Sequence, residues 1–524
     1  MTAPAYTSDL TLLSNANATT GWTEPTSAET GGGLPQNGTE FFIEGTACVS
    51  KACAGAGGIT GGAVYTTTAQ TITTPAAVYV WMVFAAPNTL DTRANGGFAI
   101  AVGSSTANYK KFYVLGSDNY AYGGWQCVAV DPSLTADATI GTPAGTYLTF
   151  GAIVKTLATI SKGEPFGVDA VRFGRTLQVV SGETANYGTF AGAAATNDSI
   201  NNRWGILQAI AGGYQLQGQL LLGTAGTAVD FRDANTSVLI ANNLKVAAGF
   251  NEIEIRNASS RVDWTAISFL ALGTLSRGNL LVTNDADVNI DACSFTNMGT
   301  FALLGSTAIT NSTLRSCDTI TAPGSTLSGT SVLTSRVAAD ASAVVWNSAN
   351  DPGGELDNMT FSKGTNDHHA IEFGLSSPTT ISLVGQTYTG FSASNNVNSS
   401  VLHIKRTTGT VTINVSGGDT PSYRSDGATV VVQNSVSVTL TGLVNPTEVR
   451  VYSQDGGGDS DVELAGQDDV ATGTFNFSGT AGVIVNIVVY SVGYLPADIF
   501  DFQIPTQAAS IPIQQVFDRQ YENP

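Results

Sequence analysis

A short alternation of apolar and small polar residues recurs along the middle of the chain, between residues 262 and 388. Each copy ends in an apolar residue. Successive copies end 26, 19, 47 and 27 residues apart, and the third interval divides at Val332 into 18 and 29. Repeats of this length that each supply a short strand are typical of solenoids, whose neighbouring coils bury one another's apolar faces. The pattern therefore predicts a right-handed parallel β-helix. The copies are Val262–Phe269, Val288–Phe295, Ala308–Leu314, Gly354–Phe361 and Thr380–Tyr388.

The alternation also predicts which side chains form the core of this β-helix. Side chains point alternately to the two faces of a strand, so the apolar positions of each copy share one face. We expect five of them to point into one stacked apolar core: Phe269, Ile290, Phe295, Phe361 and Ile381.

Strand patterns without a coil period flank the repeats on both sides. From Thr2 to about Thr156, strands separated by Gly-rich loops indicate an antiparallel sandwich of jelly-roll type. Beyond Val438, hairpin-like alternation predicts a small C-terminal β-sandwich. The N-terminal patterns are Glu40–Glu44, Gly62–Tyr65, Val78–Phe84, Gly97–Val102 and Lys111–Leu115; the C-terminal ones are Val436–Leu443, Glu448–Tyr452, Gly473–Phe477 and Val483–Tyr490.

The sequence thus predicts an all-β chain in four parts. Residues 1–160 form the jelly-roll-like sandwich, and residues 161–230 close that sandwich or cap the solenoid. Residues 231–438 form the parallel β-helix, and residues 439–524 form the C-terminal β-sandwich with an apolar tail. The tail shows no clear partner in its own domain, and exposed apolar strips dock on other surfaces, here another subunit. Its apolar residues are Ile511, Ile513, Val516, Phe517 and Tyr521.

Charge and hydropathy narrow the classes of partner. The net charge is −19 with only 22 Lys and Arg residues, so we expect no nucleic-acid binding, which needs clustered cations. The longest apolar run, Ala76–Ala86, has 11 residues and predicts a buried strand, because a membrane-spanning helix needs ~20. The first residues lack the basic and apolar regions of a secretory signal. We therefore expect synthesis in the cytoplasm and no membrane insertion.

The five cysteines predict neither a zinc site nor a full set of disulfide bonds. Their number is odd and no C-x-x-C occurs, so a zinc cluster is not expected. Cys293 and Cys317 fall in successive coils and are predicted to face inward as small apolar residues. A bridge between Cys48 and Cys53 stays open, since it needs an oxidising compartment.

Acidic residues of the solenoid are the first candidates for chemistry. Glycan-cleaving enzymes need two carboxyl groups about 5 to 9 Å apart. Asp291 and Asp357 occupy comparable places in their repeats, but most such residues hydrogen-bond turns, and we favour that interpretation. The full set is Asp263, Asp287, Asp291, Asp318, Asp357, Asp367 and Glu372.

Three further motifs are weaker candidates. His368 and His369 are adjacent, so on a strand they face opposite ways and cannot chelate one ion; we expect one on the surface and one packed. With His403 as the third histidine and no Gly-x-Ser-x-Gly, a Ser-His-Asp triad is not expected. The acidic loop of residues 455–469 is best interpreted as a solvated hairpin tip, with Ca²⁺ binding left open. The glycines of residues 55–62 do not match phosphate-binding spacings.

Several blocks of the sequence resemble segments of other proteins. They are Gly167–Gly174, Ala228–Asp233, Gly354–Phe361 with Asp367–Gly374, and Tyr494–Pro496 with Ile511–Gln515. These blocks look like uncharacterised structural proteins of tailed bacteriophages and marine viral metagenomes, described as fibre, tail or decoration proteins. The similarity covers the chain from about Glu40 onward. The resemblance implies a virion component without implying a defined activity.

Three function classes follow from these observations. The first is a non-enzymatic virion structural protein in capsid decoration or a tail. It has no catalytic, cofactor or metal site, other virion proteins are its partners, and we expect a homo-oligomer, a trimer. The second is a receptor-binding tailspike or fibre that binds and cleaves host surface glycan, whose sign is a groove lined by aromatics and carboxylates. It ranks second because the predicted solenoid has few aromatic residues, of which Trp264 and Trp346 are the main ones. The third, a bacterial surface adhesin, is disfavoured by the missing signal peptide.

Overall fold

The chain is all-β, as predicted, with 51% of residues in strands and 3% in helix. It forms two compact units, Met1–Thr307 and Ala308–Pro524. The computed structural model describes residues 4–26, 29, 31–54, 58, 60–70, 76–120, 124–157, 162–181, 185–195, 205–242, 245–274, 276–453, 462–481, 483–505 and 508–520. No helix in these ranges is long and apolar enough to cross a membrane.

In the described ranges, the first unit consists of strands of 2 to 13 residues, one short α-helix, α1, and two 3₁₀ turns. The helix is Phe190–Ala195 and the turns are Pro87–Thr89 and Arg93–Asn95. The strands are β1 (Ala5–Ser8), β2 (Thr11–Ser14), β3 (Trp22–Thr23), β4 (Gln36–Gly38), β5 (Cys48–Ala54), β6 (Thr60–Gln70), β7 (Ala77–Phe84), β8 (Phe98–Ser105), β9 (Asn108–Leu115), β10 (Gln126–Val130), β11 (Ala138–Ile140), β12 (Tyr147–Lys155), β13 (Lys162–Gly174), β14 (Thr176–Ser181), β15 (Leu207–Ile210), β16 (Gly213–Leu216), β17 (Gln219–Leu222), β18 (Asp230–Ala234), β19 (Ser237–Ile240), β20 (Glu252–Ile255), β21 (Arg261–Thr265), β22 (Ser268–Ala271), β23 (Asn279–Val282), β24 (Asp287–Asp291), β25 (Ser294–Thr296) and β26 (Phe301–Ala302).

The second unit is built from strands in the same way. Strand β27 (Thr307–Thr310) begins at the last residue of the first unit. The others are β28 (Thr313–Arg315), β29 (Ile320–Thr321), β30 (Ser331–Leu333), β31 (Ser342–Trp346), β32 (Thr360–Ser362), β33 (His369–Phe373), β34 (Thr380–Val384), β35 (Thr387–Thr389), β36 (Leu402–Ile404), β37 (Thr410–Ser416), β38 (Tyr423–Ser425), β39 (Thr429–Thr441), β40 (Glu448–Ser453), β41 (Glu463–Gln467), β42 (Thr474–Thr480), β43 (Ile484–Tyr490), β44 (Ile499–Gln503) and β45 (Ala509–Pro512).

Two antiparallel sheets form the N-terminal part of the first unit. One has the order β10-β7-β13-β5-β4, with β2 on β13, and the other has the order β11-β9-β8-β12-β6-β3. Both contribute to one buried apolar cluster, in which the Phe98 and Phe166 rings meet edge to face at 5.9 Å. Four of the five predicted N-terminal strands are present, and the apolar run 76–86 supplies the buried strand β7.

The fifth predicted strand, Glu40–Glu44, is wrong, because that segment contains no strand. The backbone N–H groups of Ile43 and Glu44 donate to the Asp169 carboxylate at 2.7 and 3.1 Å instead of to a neighbouring strand. Glu44 itself is buried and forms a salt bridge with Arg172. A buried carboxylate needs such a partner, and here that partner is supplied in place of sheet pairing.

From β16 onward, the strands of the first unit form parallel sheets in which each strand pairs with the third strand along the chain. The runs are β16-β19-β22-β25, β17-β20-β23-β26 and β18-β21-β24. The predicted pair Phe269 and Phe295 occupies neighbouring strands in register, and the two rings stack at 4.8 Å. Both are buried, as is Ile290, so the prediction for these three residues is confirmed.

The second unit continues with parallel pairing in its first part. The runs are β28-β30-β32-β35, β29-β31-β33-β36-β38 and β34-β37-β39. Leu314, Val332, Phe361 and Tyr388 follow one another in register across the first of these runs, as the repeat spacing predicted. Phe361 is buried, and so is Ile381 on β34, which confirms both predictions.

A residue in the left-handed backbone conformation turns the chain just before three strands of this column. Asn311, Asn358 and Gly385 have φ of 48°, 56° and 67°, and each precedes its column strand by two residues. Asn and Gly adopt this conformation more readily than other residues. At Gly385 a Cβ would also lie only 2.2 Å from the Asn358 side chain. The Asn and Gly corners of the repeat therefore mark conformational bends.

The C-terminal part of the second unit is antiparallel and has its own apolar cluster. Strand β39 joins the two regions, because residues 429–435 pair in parallel with β37 and residues 435–441 pair antiparallel with β42. A second sheet has the order β41-β40-β43-β44. All four C-terminal strand patterns predicted from the sequence correspond to strands.

The tail packs on its own domain, contrary to expectation. Strand β45 pairs with β39, Ile513 is buried in the C-terminal cluster, and Ile511 packs against that cluster. A long strand such as β39 leaves an unpaired edge, which the tail covers. Val516 and Phe517 stay exposed, so their docking on another subunit remains a prediction. Tyr521 lies outside the described residues.

Candidate functional site

The predicted carboxylates of the first unit belong to columns of paired charges. Asp263 lies between Arg232 and Asn289 in the register of β18, β21 and β24. Its Oδ2 is 2.8 Å from Arg261 Nε and 3.6 Å from Arg232 Nε. Asp287 accepts a hydrogen bond from the Asn289 amide at 2.8 Å. These side chains are compensated by their neighbours, which fits the structural interpretation.

Asp291 lies at the end of β24 and is half-buried. Its carbonyl oxygen accepts the N–H of Ala266, which has a left-handed φ of 54°. The backbone of Asp291 therefore supports a bend between strands. Asp357, the residue at the comparable repeat position, belongs to the second unit.

The predicted carboxylates of the second unit have different surroundings. Asp367 is bound by Lys363 at 2.8 Å, and that hydrogen bond lowers the pKa of Asp367. Burial, followed by the negative charge of Glu355, raises the pKa of Asp357. Asp357 Oδ1 is buried and has no hydrogen-bond partner among the described residues. Asp318 is half-buried between β28 and β29. Asp357 thus combines a raised pKa with a buried carboxyl oxygen that has no partner in the described ranges.

Both His368 and His369 are fully buried, so the expectation that one would lie on the surface is wrong. The N–H groups of Ala370 and Ile371 both donate to the Val401 carbonyl, at 2.8 and 3.3 Å. His368 precedes the first residue of β33, so the alternation of side chains along a strand does not govern its position. His368 Nε2 accepts the Gly364 N–H at 3.1 Å, and its Nδ1 donates to the His369 carbonyl at 2.9 Å. Burial lowers the pKa of both histidines.

His369 and His403 form a buried cluster with carboxylates from neighbouring strands. Their rings lie 4.6 Å apart, and His403 Nε2 is 2.9 Å from Asp426 Oδ1. Burial raises the pKa of Asp426, but the hydrogen bond with His403 and nearby cations outweigh it and lower that pKa overall. Glu372 lies 3.8 Å from His403 Nδ1 and faces it in register. No sequence motif indicated this cluster, because three separate segments contribute to it: His403 lies 34 residues after His369, and Asp426 lies another 23 residues on.

Metal binding has little support in the described ranges. There, no group of three or more His, Cys, Asp or Glu side chains is placed to hold an ion. The acidic loop candidate falls largely outside the described residues, which omit 454–461, and so do glycines 55 and 57. Asp468, at the described end of that loop, forms an ion pair with Arg450.

The five cysteines are free thiols, and all are buried. Cys48 and Cys53 are therefore unbridged in this structure, and burial raises the pKa of Cys48 to about 12 and of Cys53 to about 11. The prediction that Cys293 and Cys317 are buried is confirmed.

The second unit contains a cleft of about 530 Å³. Sites for small molecules commonly span about 300 to 1,000 Å³ and combine aromatic faces with a few polar groups. Trp264 and Trp346, the aromatics noted from the sequence, are buried elsewhere. We call this feature the terminal cleft; its lining includes Tyr388, Phe391, Asn395, Asp419, Thr420 and Tyr423.

Tyr388 forms the floor of the terminal cleft and is the last residue of the in-register column that begins at Leu314. Tyr388 stacks on Phe361 with 5.7 Å between the ring centroids. Its strand, β35, is the last of its sheet in the described ranges. The phenol donates to Gln386 Oε1, and burial raises the pKa of Tyr388. The column thus ends in a partly buried tyrosine that lines the cleft.

Polar groups are fixed around this aromatic floor. Asp419 Oδ2 accepts the Tyr388 N–H at 2.8 Å, and Asn395 Oδ1 accepts the Tyr423 N–H at 2.9 Å. The Thr420 hydroxyl accepts from Asn434 at 2.8 Å. These contacts leave the second oxygen of Asp419, the Asn395 amide N–H groups and the Thr420 hydroxyl hydrogen for a ligand.

The search of family models found no match for this sequence, and the search of curated proteins found none. Any functional inference therefore depends on the geometry of the chain itself.

Sequence reasoning missed the terminal cleft although one of its residues ends the repeat. Tyr388 ends the last copy of the repeat, but its place in the cleft depends on β35 having no successor in its sheet within the described ranges. Asp419 and Asn395 belong to no motif. The one available signal was the change from Phe361 to a tyrosine at the end of the column.

Proposed function

We propose that residues 231–438 form a right-handed parallel β-helix, between a jelly-roll-like sandwich and a small C-terminal β-sandwich. In the first unit, each strand from β16 onward pairs in parallel with the third strand along the chain. In the second unit, the parallel strands up to β39 pair with the second or third strand along the chain. Both patterns support this architecture. Crossover connections between parallel strands of one sheet are right-handed in nearly all proteins, which supports the handedness.

On this architecture we infer a non-enzymatic structural protein of a bacteriophage virion, in capsid decoration or in the tail. The observation that carries the inference is the in-register column, such as Leu314, Val332, Phe361 and Tyr388, in which each rung buries the face of the next. Such stacking yields a rigid scaffold whose outer surface is free to contact partners. Its partners would be other virion proteins, and its location the particle assembled in the host cytoplasm.

The polar residues of the outer strand faces are consistent with a structural role. Asp263, Asp367 and Asp426 each contact a cationic or histidine side chain of their own unit. Carboxylates held in this way stabilise neighbouring rungs and are less suited to proton transfer.

Immunogold labelling tests the virion assignment. An antibody raised against the purified chain is applied to intact particles recovered from a host that produces the protein, and the particles are viewed in negative stain. We expect gold on the particles, clustered on either capsid or tail, and the chain among the proteins of washed particles. Gold and chain found only in the unassembled fraction would contradict the assignment.

A receptor-binding tailspike with glycan-depolymerase activity is the second candidate, and the raised pKa of Asp357 favours it. The purified protein is incubated with host capsule or lipopolysaccharide, and released oligosaccharide is measured. The structural proposal expects no release. Release that Asp357→Asn abolishes would replace it with the tailspike, and Asp367→Asn is the control, because Lys363 already binds that exposed carboxylate.

A further inference from the structure

The terminal cleft combines features that recognise sugars. A pyranose ring has one face rich in C–H groups and an edge rich in hydroxyls. The C–H face packs on aromatic rings, whose faces carry negative charge, while the hydroxyls need fixed donors and acceptors. Tyr388, Phe391 and Tyr423 supply the aromatic part of the lining.

The aromatic groups are held in place by packing outside the cleft. Phe391 meets the His368 ring edge to face at 5.6 Å and the Tyr388 ring at 6.5 Å. Tyr388 is stacked on Phe361. Because these rings are already ordered, a ligand loses little affinity to their immobilisation.

The polar groups are ordered in the same way and offer both kinds of hydrogen bond. Asp419 is anchored through Oδ2 and presents Oδ1 as an acceptor, while Asn395 is anchored through Oδ1 and presents its amide as a donor. Ser422, buried behind them, donates to the Ser392 carbonyl at 2.6 Å and accepts the Val401 N–H at 3.0 Å, which fixes the cleft wall. A neighbouring donor and acceptor suit sugar hydroxyls, which both give and accept hydrogen bonds.

The charge around the cleft selects among glycans. Asp419 is the one charged side chain of the lining, and the chain as a whole carries −19. Both disfavour uronic, sialic or phosphorylated sugars, because like charges repel. We propose that the terminal cleft binds a short segment of a neutral glycan. This inference goes beyond the virion role and does not depend on it.

Binding is tested with the full chain and defined oligosaccharides. The probes are neutral tri- and tetrasaccharides of glucose, galactose and N-acetylglucosamine, together with matched oligosaccharides that contain one uronic acid. Saturation-transfer NMR detects binding and titration calorimetry measures it. We expect binding of at least one neutral probe and weaker or no binding of its acidic counterpart.

Two conservative substitutions locate the site. Asp419→Asn keeps an oxygen for the Tyr388 N–H but removes the charge, and we expect about tenfold weaker binding, as for loss of a hydrogen bond to a charged group. Asn395→Asp keeps the acceptor for Tyr423 but replaces the amide donor, and we expect a comparable loss. Asp351→Asn is the matched control, because Asp351 also accepts a backbone N–H, that of Ser382 at 2.7 Å, outside the cleft lining.

Several outcomes would overturn the proposal. They are the absence of binding by the unsubstituted chain to every neutral probe, tighter binding of the acidic probes, or equal weakening by Asp351→Asn and Asp419→Asn. Hydrogen exchange of β35 and β38 is measured for each variant, so that a loss of binding is credited to the site only where protection is unchanged. Failure here leaves the particle-labelling result untouched, so the two proposals are distinguishable.

Discussion

Asp169 illustrates how the fold sets the chemistry of a single residue. Its side chain is fully buried and accepts three backbone N–H groups, from Ile43, Glu44 and Ala170. Burial raises its pKa to about 6, although these hydrogen bonds and the charge of Arg172 oppose the change. The residue lies at an irregularity of β13, where Ala170 has a φ of 45°.

The raised pKa of Asp169 predicts a dependence of stability on pH. An unfolded aspartate ionises near 3.9, so between about pH 4 and 6 the unfolded chain loses a proton that the folded chain keeps. The free energy of unfolding of the two N-terminal antiparallel sheets should therefore fall as pH rises through this window, by on the order of 3 kcal/mol. Hydrogen exchange of β7 and β13 in urea, corrected for intrinsic rates, measures it.

Asp169→Asn should remove this slope, because an amide does not titrate. Asp131→Asn, at another buried aspartate of the same unit, is the control and should leave the slope in place. A slope that persists in Asp169→Asn would show that another group is responsible.

At the scale of elements, the aromatic and aliphatic columns hold the parallel strands together. Each column strand is only three to five residues long, and such strands gain stability mainly from the rungs above and below. The adjacent polar columns place opposite charges in register, for example Asp230, Arg261 and Asp287. Register is thus specified on both faces of these strands.

Truncation of a column residue should be costly. Phe295→Ala in the first unit and Phe361→Ala in the second should each lower the free energy of unfolding of their unit by ~3 to 5 kcal/mol, because a packed aromatic site is emptied. Urea titration followed by hydrogen exchange of β25 and β32 measures the effect. Phe500→Ala is the control, since that ring is 65% exposed. Equal effects of Phe361→Ala and Phe500→Ala would contradict the column as the source of stability.

At the scale of the whole molecule, exposed apolar side chains bear on assembly. In the C-terminal part, Val492, Phe500 and Val516 are 59%, 65% and 54% exposed, and Phe517 is 45% exposed. Grouped apolar residues at a surface commonly mark a contact with another protein. The tail cannot be removed to test this, because Ile513 belongs to the core of its own domain.

We predict a homotrimer by analogy with elongated β-helical virion proteins, which commonly associate around a threefold axis; cyclic closure is the physical support for this prediction. Light scattering at micromolar concentration should give three times the chain mass of 54.0 kDa. The double substitution Val516→Ser and Phe517→Ser should shift the mass toward the single chain while leaving the hydrogen exchange of β39 unchanged. A stable single chain before any substitution would refute the prediction.

The sequence alone determined the all-β class, the register of the repeats and the buried column. These depend on local alternation and on spacing, which the order of residues records directly. Tertiary structure decided the rest. The burial of His368 together with His369 depends on where β33 begins, because His368 lies just before that strand. The packing of the tail depends on an edge of β39 with which β45 pairs. The terminal cleft exists because β35 is the last strand of its sheet in the described ranges and because Asp419, 31 residues after Tyr388, accepts the N–H of that residue. Such features arise where distant segments meet, and a one-dimensional pattern does not record which segments those are.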